Sequence, residues 1–89
     1  DRIEQQALAA SGKYTQVLEA FGRGDRTRGF TLVDELRRDH ASSPYSDQGD
    51  LLAARSLVET SELGKAAERL TRVMNESRDD QLKLVARLR

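Results

Sequence analysis

Gly29, Val33 and Leu36 recur as Ala66, Leu70 and Val73, each pair 37 residues apart. In both places a small residue is followed four and seven positions later by large apolar ones, which sets all three on one face of a helix. The small residue lets a second helix backbone approach closely, and the apolar pair fills the seam beside it. A pattern that returns at such an interval marks a stack of similar helical hairpins, each burying its apolar face against the next. Stacks of this kind build surfaces for other proteins and seldom carry chemistry. The expectation is therefore a non-enzymatic binding module without cofactors.

Composition narrows the partner class. A chain of 89 residues holds one small domain. Its 15 basic and 15 acidic side chains cancel, so no overall field draws it to nucleic acid or to an anionic surface. With no cysteine there is no disulfide, thiol catalysis or thiolate metal site. No apolar run approaches the roughly 20 residues that span a bilayer. The chain opens on Asp1 and closes on Arg89 inside a helical pattern, so it is expected to be a fragment of something longer, with any anchor outside it.

Spacing along the chain predicts helices only. Ile3, Ala7, Ala10, Tyr14, Val17 and Phe21 form a single stripe on a helix over 1–21, with a possible bend at Gly12. Gly22-Arg23-Gly24-Asp25 reads as a turn whose aspartate caps the next helix, over 26–40. Pro44 marks the start of a third helix, over 46–59. Helices over 63–75 and 80–89 follow, the latter bearing Leu82, Val85 and Leu88 behind a cap at Asp79 or Asp80. Val33, Leu36, Ala54, Leu57, Ala66, Leu70 and Val73 are the expected structural core.

Candidate chemical groups have simpler readings. His40 is the only histidine and stands near a helix C-terminus, where an imidazolium suits the dipole. Asp47 with Asp50, and Glu76 with Asp79 and Asp80, lie at helix starts or in loops, where capping accounts for carboxylates. Arg23-Gly24-Asp25 is explained by turn and cap, without appeal to adhesion motifs. Arg23, Arg26 and Arg28, and further on Arg37 and Arg38, read as a solvated basic face. No metal-ligand spacing and no catalytic constellation emerges; a hydrolase or metal enzyme would need a convergent titratable pocket.

Ala53-Ala54, Leu57, Ala66 and Leu70 sit where tetratricopeptide repeats place their Leu-Gly, Tyr, Ala and Phe positions. The chain thus resembles a degenerate pair of tetratricopeptide-like antiparallel hairpins with a truncated fifth helix. In the first repeat, Leu18 and Phe21 match if the turn before Asp25 is one residue shorter. From Tyr45 onward the order Tyr45, Leu51, Ala54, Val58, Glu62-Leu63, Lys65-Ala66-Ala67, Leu70, Asp79, Leu82-Lys83 and Leu88-Arg89 is similar to the YfgM-type family. That family comprises ancillary subunits of the bacterial SecYEG translocon with a tetratricopeptide-like periplasmic domain. The resemblance implies an inner-membrane anchor outside this chain, a membrane-proximal first helix, and a domain facing the periplasm. It also implies translocon subunits and a membrane-anchored periplasmic chaperone as partners. In tetratricopeptide proteins the first helix of each hairpin lines the concave surface. That register points to Gln48, Arg55 and Glu59, with Leu51 and Val58 at the edge, as partner-binding residues. The competing expectation is a soluble cytoplasmic tetratricopeptide adaptor with an unrelated partner. Leu82, Val85 and Leu88 are in addition expected to let the fragment self-associate.

Overall fold

Four helices make up the regular structure of residues 2–76, the part of the chain that the computed structural model describes. They are α1 (Arg2–Gly22), α2 (Arg26–Asp39), α3 (Pro44–Glu59) and α4 (Leu63–Glu76). The expected helix over 80–89 and the cap at Asp79 or Asp80 lie outside the described residues. α1 pairs with α2 and α3 with α4 as two hairpins, and α3 packs across both helices of the first. The fold is all-α.

Both hairpins turn in the same way, for a local reason. After α1, the Gly24 N–H donates to the Phe21 carbonyl (3.1 Å) and the Asp25 N–H to the Ala20 carbonyl (2.8 Å). After α3, Ser61 donates to Val58 (2.9 Å) and Glu62 to Leu57 (2.8 Å). These bonds satisfy carbonyls at the helix end and require a left-handed residue in the middle, Gly24 (φ +82°) and Ser61 (φ +61°). The turns have equal length, so the offset of 37 holds without adjustment. The shorter first turn that a match at Leu18 and Phe21 would need is absent: Val17 and Ala20 hold the buried positions, and Leu18 faces outward. Helix starts are set by side chains. Asp25 accepts from the Arg28 N–H at α2, and Ser43, one residue before Pro44, accepts from the Tyr45 N–H at α3. α3 therefore begins at Pro44, the residue that marks its start in the sequence.

The core runs from Ala10, Val17 and Ala20 on α1 through Leu32, Val33 and Leu36 on α2 to Ala53 on α3. Ala54, Leu57 and Ala66 continue it between α3 and α4. Six of the expected core residues are buried: Val33, Leu36, Ala54, Leu57, Ala66 and Val73. Leu70 is not; it is 43% exposed, on a side of α4 that α1, α2 and α3 leave uncovered.

Asp50 is the largest departure from expectation. It is a wholly buried residue in the body of α3, not a helix-start acid. Its carboxylate accepts from Arg37 Nε (3.1 Å) and Nη2 (2.8 Å) on α2, and from Arg72 Nε (3.0 Å) and Nη2 and Arg69 Nη1 (3.3 Å) on α4. Arg37 also binds Asp47 and the Ala41 carbonyl, and Arg69 and Arg72 also bind Asp34. Arg37 is thus buried and not part of a solvated basic face. Burial lowers its pKa, and the hydrogen bonds to Asp47 and Asp50 more than reverse that effect. The Asp50 hydrogen bond likewise holds Arg72 above its ordinary value. Ser46, also buried, donates to the Leu36 (2.9 Å) and His40 (2.6 Å) carbonyls and so closes the end of α2. His40 is the capping residue there, its N–H donating to Leu36.

α1 continues unbroken through Gly12, where an added Cβ would meet nothing within 4 Å. Glycine in a helix interior is less favourable than alanine, chiefly through the unfolded chain. Gly12→Ala is expected to raise stability by about 0.4–1 kcal/mol in urea denaturation.

Candidate functional site

A cleft of about 510 Å³ opens between the C-terminal parts of α1 and α3. Phe21 and Leu52 supply its apolar surface, and Arg26, Arg55, Ser56, Glu59 and Thr60 its polar surface. Leu52, Arg55, Ser56 and Glu59 are spaced three, four and seven residues apart, a single helical stripe. Neither α1 nor α3 carries a basic residue in its last turn. Arg26 and Arg55 are the cations that the cleft brings near those two carbonyl-rich ends.

Arg26 sets the shape of this region. From the first turn of α2 its Nε donates to Ser56 Oγ (2.9 Å), and its Nη2 to Thr60 Oγ1 (3.2 Å) and Glu62 Oε2 (3.1 Å). Its guanidinium also lies 5.2 Å from the centre of the Phe30 ring, whose other neighbours include Arg69 (5.6 Å) and the edge-packed Phe21 ring (5.5 Å). One arginine thus joins the start of α2 to the end of α3 and the start of α4. Arg23 and Arg28 remain exposed beside it.

Arg55 and Glu59 are built differently. They pair at 3.3 Å with side chains 79% and 65% exposed. Such a surface pair contributes only about 0–1 kcal/mol, so either member can exchange its partner at little cost. The cleft therefore offers an apolar floor and two charges of opposite sign that can re-pair, a fit for an extended peptide or a helix edge.

Of the five expected partner-binding residues, Arg55 and Glu59 line the cleft. Gln48 is exposed on the same stripe, one turn before Leu52. Leu51 and Val58 are exposed but stand one helical position away from Leu52 and Glu59, about 100° round the helix. They do not line this cleft. Leu52, Phe21 and Arg26 also line it, though none is among the expected partner-binding residues. The stripe of Leu52, Arg55 and Glu59 was the available signal for Leu52; nothing local marks Arg26, whose partners are 30 to 36 residues away. Among the described residues no three His, Asp or Glu side chains gather as metal ligands, and no helix is long and apolar enough to cross a membrane.

The sequence model of the tetratricopeptide repeat-like domain matches residues 1–89, and the chain belongs to that family. No curated protein and no solved structure matches it.

Glu62 provides a pH readout for the wall of the cleft. Its carboxylate is lowered from 4.5 to about 2, first by the Thr60 hydroxyl, then by Arg26, with Lys65 adding to both. Because the folded value lies below the unfolded one, the stabilisation is complete above about 4.5 and is lost as pH falls towards 2. Glu62→Gln is expected to lower the urea midpoint at pH 7, with the gap to the unmutated chain closing between pH 4.5 and 2. An unchanged gap across that window would show that Arg26 and Thr60 do not hold the ionised form.

Proposed function

We propose that this tetratricopeptide repeat-like chain is a non-enzymatic scaffold whose α1–α3 cleft binds a segment of another protein. The observation that carries the reading is the pairing of a fixed framework with loosely held charges. Arg26 is committed to three partners, while Arg55 and Glu59 hold only a solvent-exposed contact with each other among the hydrogen bonds of the cleft. A partner brings apolar side chains to Phe21 and Leu52 and complementary charges to Arg55 and Glu59.

The finer reading is that the chain forms part of a membrane-anchored, periplasm-facing ancillary subunit linking the SecYEG translocon to periplasmic chaperones. It is supported by the residue order from Tyr45 to Arg89, which is similar to the YfgM-type family. The anchor lies outside this chain, and the first turns of α1 are the membrane-proximal part.

A photo-reactive amino acid in place of Arg55, introduced in the full-length protein in intact cells, tests both levels. The expected products are cross-links to translocon subunits or to a membrane-anchored periplasmic chaperone, reduced by Glu59→Arg. Products drawn only from cytoplasmic proteins would reject the periplasmic reading. Equal cross-linking from Arg28, exposed and outside the cleft, would reject the cleft itself.

A further inference from the structure

Arg26 belongs to two cavities at once. It lines the α1–α3 cleft, and it also lines a pocket of about 300 Å³ between the first halves of α2 and α4. Phe30 and Leu57 form the apolar surface of that pocket. Its charged surface sets three cations, Arg26, Lys65 and Arg69, against two carboxylates, Glu62 and Glu68.

Pairing among these groups leaves hydrogen-bond donors over. Glu62 accepts from Arg26 Nη2 (3.1 Å) and the Thr60 hydroxyl, with Lys65 Nζ more distant at 3.4 Å. Arg69 uses only its Nη1, towards Asp34 (2.6 Å) and Asp50 (3.3 Å). Arg69 Nε and Nη2 and Arg26 Nη1 make no hydrogen bond among the described residues. Two of the three cations are also held in place. Their guanidiniums lie 5.2 and 5.6 Å from the centre of the same Phe30 ring, and each is anchored elsewhere, Arg26 on Ser56 and Thr60, Arg69 on buried Asp50. Fixed guanidiniums with unused N–H groups suit a carboxylate, because little side-chain freedom is lost when it arrives. The excess positive charge of the pocket selects an acidic group over a basic one.

One guanidinium separates the two cavities. Arg26 Nε is 2.9 Å from Ser56 Oγ in the cleft, and its Cζ is 5.2 Å from the Phe30 ring in the pocket. An extended chain advances about 3.3 Å per residue, so it crosses from one cavity to the other in roughly three residues. We propose that the segment bound in the cleft continues past Arg26 and sets an acidic side chain in the α2–α4 pocket, where Arg69, Arg26 and Lys65 donate to its carboxylate. This rests on the cleft reading and gives the partner a chemistry. An apolar residue meets Phe21 and Leu52, and an aspartate or glutamate stands roughly three residues from it.

Two exposed residues alter the charge of the pocket without lining the cleft, Lys65 and Glu68. Lys65→Glu and Glu68→Gln are each combined with a photo-reactive amino acid in place of Arg55, in the full-length protein in intact cells. The captured segment is identified by mass spectrometry. Lys65→Glu is expected to reduce the cross-linked product several-fold and Glu68→Gln to increase it. The segment should carry an acidic residue within a few positions of the attachment point, and exchanging that residue for lysine should restore capture by the Lys65→Glu chain. Unchanged yields in both variants would overturn the pocket and leave the cleft standing. A fall in both alike would also overturn it, since charge would not then set the yield. No product from Arg55 in the otherwise unmutated chain would overturn cleft and pocket together. Capture of a second copy of this chain alone would overturn the proposal and give the surface to self-association.

Discussion

One carboxylate, that of Asp50, holds the two hairpins in register. It is wholly buried in α3 and receives hydrogen bonds from Arg37 on α2 and from Arg69 and Arg72 on α4. Taking a carboxylate out of water costs several kcal/mol, and only close, well-aligned cations offset that. Here they do, and Asp34 and Asp47 balance the remaining positive charge. Among the described residues no buried side-chain nitrogen or oxygen is left without a partner. An apolar residue of similar size would pack in many offsets along the neighbouring helices. A carboxylate ringed by three guanidiniums accepts only one, and we read its role as fixing that offset.

The two surfaces of the molecule follow from that register. Once α3 is locked against α2 and α4, its Leu52, Arg55 and Glu59 stripe faces the end of α1 and makes the cleft. Leu51 is turned about 100° away from that stripe and is exposed. The cleft is mixed in polarity and carries charges that can re-pair; α4 exposes the apolar side chains of Leu63, Leu70 and Met74.

Much of the fold is legible in the chain because it is written locally. Gly24, Asp25, Ser43 and Pro44 stop and start helices through their own backbone preferences, and Gly29 and Ala66 mark the close approaches by size alone. What is hidden is written at long range. Asp50 sits three residues after Asp47 and resembles another helix-start acid, while the arginines that bury it lie 13, 19 and 22 residues away. Arg26 is concealed in the same way, as one member of a basic cluster whose other members, Arg23 and Arg28, are exposed. Leu70 shows the converse: its spacing marks an apolar seam, but spacing does not say whether the seam is covered. Leu51 and Val58 stand one residue from Leu52 and Glu59, enough on a helix to turn them out of the cleft.

Hydrogen exchange combined with urea denaturation of Asp50→Asn tests the central claim most directly. If the buried carboxylate holds the hairpins in register, neutralising it leaves three arginines without their shared partner. Stability should then fall by about 3–5 kcal/mol, and amide protection should be lost first in α4 and the facing part of α3. A loss below about 1 kcal/mol, the scale of an exposed ion pair, with α4 still protected, would contradict the account.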